Sequence, residues 1–314
     1  MGKLFDILGL GAVAVDELIH VDQYPAPDQK AHVLHAERQC GGLTATALVA
    51  AARFGARCAY AGVLGTDELS SFVRESLLRE KVNLDHLLED QNARPVHSYI
   101  LVDQAKSTRN IFADGRGAIG ASPTWPPADL VRQAQVLFVD HFGLSGMVRA
   151  ATIARESGLP IVGDLERNSG PEFERLLGMV NHLIVSLHFA MTLTGAADPA
   201  SIVGQLWSND RNTVVVTGGE KGCWYRSADD PGSVHHHRAF AVKTVDTTGC
   251  GDVFHGVYAA ALARHLPVEE RILLASGAAA IKATRSGGQA GIPPREDLQR
   301  FIFEHGGGSL RSDL

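Results

Sequence analysis

The sequence contains few cysteines, few aromatic residues and no long apolar run, and each shortage excludes a class of protein. None of its four cysteines has CxxC spacing, which argues against a disulfide framework and against a structural zinc site. No run approaches the roughly 18 to 20 apolar residues of a membrane-spanning helix. The N-terminal residues show no basic-then-apolar signal with a cleavage site. We therefore expect a cytoplasmic protein in a reducing compartment, without a membrane partner.

The charge of the chain also lacks a strong bias. The net charge is -6 over 314 residues, and lysine and arginine form no block, so the sequence shows no surface suited to nucleic acid. The apolar fraction of 45% is sufficient for a sizeable core. Thirty-three glycines beside only 6% aromatic residues are typical of α/β proteins, whose many strand-to-helix turns need glycine. We expect the partner to be a small molecule.

From residue 136 onward, short β-branched or apolar runs alternate with helical stretches. This alternation predicts an α/β fold with a doubly wound, mostly parallel sheet flanked by helices. The predicted strands cover residues 136–140, 160–164, 182–186 and 213–217, and the predicted helices cover residues 146–157, 199–207, 251–265 and 268–284. Residues 222–226 and 234–239, joined by a turn-rich stretch at 227–233, predict a hairpin at the sheet edge.

The first third of the chain has a different pattern, because several of its runs alternate apolar and polar residues as half-exposed strands do. These runs fall in residues 15–37 and 96–114, and a helix-strand-helix pattern separates them between residues 43 and 81. We expect the two segments to form a small β-sheet lid over one site. The sequence thus predicts a single domain over residues 1–303, followed by a flexible tail over residues 304–314.

The first glycine motif, Gly9-Leu-Gly11-Ala-Val-Ala14, matches the relaxed GxGxxA fingerprint of dinucleotide-binding proteins. That fingerprint requires a helix directly after the glycines. Here residues 13–21 are β-branched and strand-like instead. A tight turn between two strands therefore explains the glycines better, and an NAD-linked oxidoreductase is the weaker alternative.

The second glycine motif, Asp246-Thr-Thr-Gly-Cys-Gly-Asp252, leads into a predicted helix. Gly249 and Gly251 allow successive backbone N–H groups to point into one concavity, and the helix N-terminus adds its positive end. This combination predicts a phosphate site. Asp252 is either a carboxylate that stabilises the helix N-terminus or a base that takes a proton from a hydroxyl about to attack phosphorus.

This second motif resembles the DTTGAGD signature of the ribokinase-like (PfkB) family of carbohydrate kinases, with Cys250 in place of alanine. Similar segments run the length of the chain: Gly9–Asp16, Gly41-Gly42, the loop at residues 216–222 and the segment at residues 283–293. The resemblance implies the family fold, a doubly wound sheet with a β lid. It also implies ATP as phosphoryl donor, magnesium with the ATP phosphates and a small sugar as acceptor. Residues 21–25 and 108–110 look most like the ketohexokinase branch.

The resemblance also implies which residues act on the phosphoryl group and on the sugar. Asp252 would take the proton of the sugar hydroxyl, while Gly249, Cys250 and Gly251 would hold the transferred group. The residues implied in sugar binding are Asp16, Asp28, Gly41, Gly42, Thr46 and Arg109. Asp28 is equally compatible with a surface turn, and Arg109 with an exposed lid arginine.

Two further groups of residues are implied on the nucleotide side. Those around ATP are Ser186, Thr217, Gly219, Gly222, Gly251 and Ser276. Those that resemble the monovalent-cation site of many relatives, which takes potassium, are Asp246 and Thr248 with the carbonyls near Arg285 and Gly287. Magnesium is expected to be held largely through water and phosphate oxygens.

The chain departs from the family pattern at two places. The family has an asparagine two to three residues into the loop after the glycine pair, where this chain reads Leu43-Thr-Ala-Thr46. Thr46 still offers a hydroxyl but Leu43 is apolar, so the contacts that select the sugar are altered. The Asn-x-x-Glu element that organises magnesium waters is replaced by Ser186-Leu-His-Phe189, and the nearest carboxylates that could substitute are Asp164 and Glu166. The sequence leaves the sugar itself open.

Two alternatives to a sugar kinase remain at this point. A nucleoside kinase of the same fold is disfavoured because few aromatic residues are present to stack on a base. A catalytically silent sugar-binding protein is disfavoured by the intact Asp252 and its glycines. Whichever of these functions applies, the exposed strand edges of the lid favour a homodimer that forms through the lid.

Overall fold

A computed structural model of the chain describes residues 2–106 and 108–305. The strands, in chain order, are β1 (Phe5–Gly9), β2 (Ala14–Val21), β3 (Val33–Gly41), β4 (Cys58–Tyr60), β5 (Val63–Leu64), β6 (Leu88–Glu89), β7 (Val96–Asp103), β8 (Thr108–Asp114), β9 (Ala134–Asp140), β10 (Ile161–Asp164), β11 (His182–Ser186), β12 (Thr213–Thr217), β13 (Cys223–Ser227) and β14 (Asp230–His237). The helices are α1 (Leu43–Arg53), α2 (Glu68–Arg79), α3 (Ala128–Arg132), α4 (Leu144–Glu156), α5 (Pro171–Met179), α6 (Leu187–Thr194), α7 (Pro199–Leu206), α8 (Cys250–Ala263), α9 (Val268–Ala283) and α10 (Arg295–His305).

The central sheet has eight strands in the order β14-β13-β12-β11-β10-β9-β1-β4. The strands from β12 to β4 in this order run parallel, and β13 and β14 add an antiparallel edge. One face is covered by α1, α8 and α9, and the other by α3 to α7. Parallel strands that are buried on both faces need apolar side chains on both faces, which explains the continuous runs of buried residues such as 213–217. The structure confirms the predicted doubly wound α/β fold.

The strand order reverses beside β1, which places a crevice at the carboxyl ends of the central strands. From β1 the chain runs outward to β4 and then returns to β9 on the other side. Open α/β sheets bind their ligands at such a switch point, outside the carboxyl ends of the strands. The topology therefore locates the site before any side chain is considered.

A second sheet of four strands, in the order β3-β2-β7-β8, lies apart from the central sheet. Its inner pair β2 and β7 is parallel, whereas β3 and β8 add antiparallel edges. The sheet thus joins strands from both alternating segments of the first third of the chain. Its edge strands are largely exposed and carry apolar side chains at Val33, Leu34, Ile111 and Phe112.

The structure confirms one local prediction and differs from others. The predicted tight turn between two strands is present, because β1 ends at Gly9 and β2 begins at Ala14; the dinucleotide fingerprint therefore has the wrong context, and the weaker alternative of an NAD-linked oxidoreductase is wrong. The edge hairpin has a turn much shorter than residues 227–233, because β14 already begins at Asp230. The short or amphipathic helices α3, α5, α6 and α10 were not predicted.

The chain terminus also differs in part from its prediction. Residues 304 and 305 belong to α10 rather than to a tail, and its amphipathic sequence explains why: Leu298 and Ile302 are buried one turn apart. The rest of the predicted tail, residues 306–314, lies outside the described residues. No helix within the described residues has the length and apolar character needed to cross a bilayer.

A buried histidine links the central sheet to α8, and we expect it to make stability depend on pH. Nδ1 of His182 lies 3.1 Å from the hydroxyl of Tyr258 on α8, and burial lowers the pKa of His182 to about 3 from 6.5. The unfolded chain therefore binds a proton below about pH 6.5 that the folded chain excludes, so stability falls as the pH decreases from that point. At about pH 5.5 this loss amounts to about 1.4 kcal/mol.

We expect His182→Gln to remove this loss. The free energy of unfolding by urea, measured at about pH 7.5 and about pH 5.5, should decrease by about 1.4 kcal/mol less in the variant than in the unmodified protein. His32→Gln, at an exposed position, is the control and should leave the pH dependence unchanged. An identical decrease in all three proteins would show that His182 titrates normally.

Candidate active site

The candidate site lies where α8 begins above the carboxyl ends of β9 and β10. Asp140 and Asp164 are the last residues of these two strands and pair with each other in the sheet register. Both side chains are buried. Helix α8 packs against β1, β9 and β10, so its first turn, which carries Asp252, lies close to both carboxyl groups.

The loop before α8 has the backbone geometry that the predicted anion site requires. Gly249 is the N-cap of α8 with φ 75°, a left-handed conformation that glycine adopts without strain. The first N–H groups of a helix have no partner within the helix, and apart from the adjoining residues and the backbone of α8, no described atom lies within 4 Å of a Cβ placed on Gly251. The backbone is therefore open to a ligand here. Burial raises the pKa of the Cys250 thiol to about 11, so this replacement of the family's alanine adds no charge.

The Asp252 carboxyl is the centre of an acidic cluster. Burial raises its pKa well above the usual range of an aspartate. Four neighbouring carboxylates raise it further, in the order Asp164, Glu166, Asp140 and Asp16. A carboxyl group of this kind binds a proton more tightly than a solvated aspartate, which is the property of a general base that works near neutral pH.

Asp164 and His255 lie beside Asp252 in this cluster. The carboxyl groups of Asp164 and Asp252 are within hydrogen-bonding reach of each other. Oδ2 of Asp164 is buried, and no donor of the described residues satisfies it. His255, one turn further along α8, has its ring between the carbonyl oxygens of Gly251 and Ile184 at 2.8 and 3.1 Å. Its Nδ1 lies 3.5 Å from Oδ2 of Asp164.

Asp140 has a different role from Asp164, because its oxygens are occupied by protein donors. It accepts hydrogen bonds from the backbone N–H groups of Ala12 and Phe142 at 2.7 and 2.8 Å, and from the Thr44 hydroxyl at 2.9 Å. A Cβ on Gly11 would lie 2.1 Å from its Oδ2. Asp140 thus ties the first glycine motif and the start of α1 to the sheet, which explains the requirement for Gly11.

Three of the predicted sugar residues, Asp16, Gly41 and Gly42, meet where the small sheet joins the central sheet. Asp16 lies on β2, and a Cβ on Gly41 of the paired strand β3 would lie 2.2 Å from its Oδ2. Gly42 has φ 97°, and a Cβ there would lie 2.6 Å from the carbonyl oxygen of Ala12. Burial raises the pKa of Asp16, whereas the Ser98 side chain counteracts this by a hydrogen bond.

Thr46, Arg109 and Asp28 occupy three different surroundings. Thr46 is buried, and its methyl group would lie 3.4 Å from a Cβ on Gly249, so it packs beneath the anion loop. Arg109 extends from the edge strand β8, and its Nη1 lies 3.4 Å from Oδ1 of Asp246. Asp28 is exposed in the loop between β2 and β3, with φ 63°, which is the geometry of a surface turn.

The predicted nucleotide residues line the neighbouring strand ends. Ser186 and Thr217 pair with each other at the ends of β11 and β12. Thr217 pairs in turn with Cys223, whose thiol hydrogen-bonds the side chain of Ser276 on α9. Gly222 has φ 84° and leaves no room for a Cβ, which would lie 2.0 Å from the carbonyl oxygen of His237, whereas Gly219 faces open space.

Phe189 stands where the family pattern has the glutamate of Asn-x-x-Glu. Its backbone N–H donates to the Ser186 hydroxyl, which caps α6. Its ring is buried against Phe173 at a centroid distance of 5.9 Å. This turn therefore offers no carboxylate to the site, and Asp164 and Glu166 remain the candidates to replace that glutamate.

The loop at residues 246–248 meets the loop after α9 through Asp246. Oδ1 of Asp246 accepts a hydrogen bond from the Thr248 N–H, and Oδ2 of Asp246 accepts one from the Gly287 N–H, both at 2.9 Å. Nζ of Lys282 lies 2.9 Å from the carbonyl oxygen of Asp246 and 3.5 Å from that of Arg285. The structure thus brings together the four residues of the predicted cation site, but it adds Lys282, which the sequence analysis did not identify.

Comparison with known proteins identifies the family of the chain, independently of the geometry of the site. The sequence profile described as "pfkB family carbohydrate kinase" matches residues 10–295. The ribokinase of Haemophilus influenzae is 26% identical, over 94% of this chain and 97% of that protein. The probable fructokinase-4 of Arabidopsis thaliana is 26% identical, over 83% of this chain and 87% of that protein.

Solved structures of similar proteins have the same fold as this chain. A putative ribokinase from Agrobacterium tumefaciens superposes with a TM-score of 0.87 at 27% identity, and covers 97% of this chain and 98% of that chain. Arabidopsis thaliana ribokinase, in complex with ribose and ATP, superposes with a TM-score of 0.83 at 20% identity over 96% of this chain and 99% of that chain. At the latter identity the likeness concerns the fold alone.

Proposed function

We propose a reaction for this chain on the premise that it belongs to the pfkB family of carbohydrate kinases, whose profile matches residues 10–295. It is accordingly a sugar kinase, a phosphotransferase with an alcohol group as acceptor. In our proposal it transfers the γ-phosphoryl group of ATP to a hydroxyl of a small sugar. The observation that carries this proposal is Asp252, whose carboxyl of raised pKa adjoins the open N-terminus of α8.

In the proposed reaction the sugar hydroxyl oxygen attacks the γ-phosphorus as the bond from that phosphorus to the ADP oxygen breaks. The hydroxyl proton passes to the Asp252 carboxylate. The backbone of Gly249, Cys250 and Gly251, together with the positive end of α8, faces the negative charge of the transferred group. Catalysis then consists mainly of positioning and electrostatic stabilisation.

The acidic cluster beside Asp252 fits the magnesium that accompanies ATP. Oδ2 of Asp164 is buried without a donor among the described residues, and burial, followed by the nearby charge of Glu166, raises the pKa of Asp164. A cation would therefore relieve an unbalanced negative charge. Within residues 2–106 and 108–305, no three acidic, histidine or cysteine side chains are arranged to hold a metal ion. We propose that Asp164 and Glu166 hold magnesium through its water ligands. Bound there, magnesium would neutralise phosphate charge.

ATP in this proposal lies along the ends of β11 and β12. Ser186 and Thr217 offer hydroxyl groups, and Gly219 exposes its backbone without a side chain. Ser276 borders the same surface from α9 through its contact with Cys223. The sugar would lie on the lid side, between Asp16 and the anion loop, with Gly41 and Gly42 allowing close approach and Thr46 and Arg109 at its margins.

Asp16 is expected to hold sugar hydroxyls as a charged acceptor. Asp16→Asn should raise KM for the sugar by about 10- to 100-fold, because a hydrogen bond to a charged group contributes roughly 1.5–3 kcal/mol. KM for ATP should change little. Initial rates at varied sugar and fixed saturating ATP measure the effect.

Two acids of the neighbouring loop complete that experiment. Asp22→Asn, at an exposed position, is the control and should leave KM unchanged. Asp28→Asn tests the role that the resemblance assigns to Asp28: a raised KM would show that its loop closes onto the sugar. If Asp16→Asn matched the Asp22→Asn control, Asp16 would not contact the substrate.

The kinase proposal itself is tested by ADP release from ATP and magnesium across a panel of acceptors. The panel contains pentoses, ketohexoses, deoxy sugars, acidic sugars and nucleosides. Turnover on one sugar would support the proposal and identify the substrate class, and turnover on nucleosides alone would favour the nucleoside-kinase alternative. ATP binding without turnover on any acceptor would favour a silent sugar-binding protein.

We also propose that the lid is the interface of a homodimer. Its edge strands β3 and β8 present unpaired backbone groups together with the exposed apolar side chains of Val33, Leu34, Ile111 and Phe112. Such edges are normally covered, and a second copy of the same sheet provides a complementary edge. Sedimentation equilibrium that returned the mass of a single chain at micromolar concentration would refute this assembly.

A further inference from the structure

A buried lysine reaches the place that the resemblance assigns to a monovalent cation. Lys282 is the penultimate residue of α9, and its side chain is 0% exposed. Its ammonium nitrogen lies 2.9 Å from the carbonyl oxygen of Asp246 and 3.5 Å from the carbonyl oxygen of Arg285. Oδ2 of the Asp246 carboxylate is also 3.5 Å away.

These three oxygens match the requirements of an ammonium group. Lysine has three N–H donors and no acceptor, so two carbonyl oxygens and one carboxylate oxygen give each proton a partner. A buried charge must also be paired, and the Asp246 carboxylate supplies the opposite charge. The end of Lys282 therefore has both the donors and the charge that this set of oxygens requires.

A potassium ion does not fit beside this ammonium group. The carbonyl oxygens of Asp246 and Arg285, which would be its ligands, already accept from Lys282. The backbone is also close, since a Cβ on Gly291 would lie only 3.2 Å from Cε of Lys282. A second positive charge within a few ångströms would be repelled strongly in a buried site.

We propose that the ammonium group of Lys282 takes the place of the monovalent cation, so that the activity of this protein does not require potassium. Lys282 joins the C-terminus of α9 to Asp246, the first residue of the loop that ends in the anion site. It is a positioning residue, because it acts on the transferred phosphoryl group through this loop. The inference rests on the proposed kinase reaction for its effect on rate, but its effect on ion binding is independent of that reaction.

Salt dependence distinguishes this role from that of an ordinary buried lysine. A lysine near a helix C-terminus also stabilises the helix dipole, so loss of activity on mutation alone would not separate the two roles. Removal of the side chain at a cation site, however, leaves a cavity lined by oxygens that a small cation can fill. A lysine that acts only on the helix would leave no such site.

The experiment compares the unmodified protein, Lys282→Ala, Lys282→Met and the exposed control Lys243→Met in chloride salts of potassium, ammonium and tetramethylammonium. Tetramethylammonium is too large for the site and keeps the ionic strength constant. Two readouts are taken: kcat and KM at saturating ATP and magnesium, and the melting temperature without substrates. The second readout requires no turnover.

The unmodified protein and Lys243→Met should give the same kcat, within about twofold, and the same melting temperature in all three salts. Lys282→Ala should lose about 10- to 100-fold in kcat in tetramethylammonium, the scale of a displaced catalytic loop. Potassium or ammonium should restore much of this loss and raise its melting temperature. Lys282→Met should stay impaired in every salt, because its side chain fills the cavity without a charge.

Strong activation of the unmodified protein by potassium would overturn the proposal, and this measurement needs no variant to fold. An equal response of Lys282→Ala to all three salts in both readouts would also overturn it. If no protein turned over any acceptor, the proposed kinase function would fail. The melting temperatures would then still decide whether Lys282 occupies a cation site.

Discussion

Asp252→Asn is expected to lower kcat by about 10²–10⁴-fold, the usual contribution of a general base. Asparagine has nearly the shape of aspartate but cannot accept the sugar proton. KM for ATP should change little, because the backbone N–H groups of the anion loop are unaffected. Initial rates on the sugar identified by the acceptor panel measure the loss.

The same substitution should stabilise the protein. The pKa of Asp252 is raised by burial and by four neighbouring carboxylates. The folded state therefore disfavours the negative charge that this carboxyl carries in the unfolded chain at neutral pH, which costs stability. Asparagine removes that charge. A higher melting temperature together with a lost activity would distinguish a base from a structural residue, because a structural residue would lose both.

Asp129→Asn is the matched control, since Asp129 is also an acid in the first turn of a helix but lies exposed on α3. A role limited to the helix dipole predicts similar, small effects at both positions. The pH dependence gives a second check: activity should be present above the pKa of Asp252 and decline as the pH falls through it. Near-normal kcat in Asp252→Asn would exclude Asp252 as the base.

Gly256→Ala is expected to destabilise the protein strongly. Gly256 lies in the middle of α8 against α1, and a Cβ there would lie 2.1 Å from the carbonyl oxygen of Ala47 and 2.9 Å from its Cα. Because these are backbone atoms, the two helices must separate, which costs about 1–3 kcal/mol or more. Urea unfolding measures the change in free energy.

Activity should fall as well, because the two helices carry the two sides of the site. α8 begins at Cys250 in the anion loop and carries Asp252 in its first turn, and α1 begins at Leu43, directly after its N-cap Gly42, and contains Thr46. Gly204→Ala is the matched control: Gly204 is also helical, but it is exposed in α7 and no atom lies within 4 Å of an added Cβ. It should stabilise the protein by up to about 1 kcal/mol. A neutral Gly256→Ala would show that α1 and α8 are not tightly packed.

The sequence shows only those parts of the site that are encoded locally. The motif from Asp246 to Asp252 contains both the glycines that open the backbone and the acid beside them. The apolar runs of the buried strands, such as residues 182–186 and 213–217, also have a local pattern, and β11 and β12 match them. Short helices such as α3 and α6 were missed because a few residues give too little periodicity.

Asp140 and His255 could have been suspected from the sequence. Asp140 and Asp164 each end a buried apolar run, and acids at the carboxyl ends of parallel strands commonly face the ligand crevice. His255 follows Asp252 by three residues, a spacing that places both on neighbouring positions of one helix face. Nothing in the sequence, however, indicates that Asp164, Asp252 and His255 form one cluster.

The sequence by itself determined the fold class and, through the resemblance of its motifs, the family, and it predicted the loop before α8 as the anion site. Each of these depends on periodicity or on short motifs of residues close together in the chain. Only the tertiary structure decided that Lys282 enters the predicted cation site, 36 residues after Asp246. It also decided that the oxygens of Asp140 accept from protein donors, whereas Oδ2 of Asp164 has no donor among the described residues. These outcomes depend on distances between segments that packing alone brings together, and pKa values respond to such distances rather than to position in the chain.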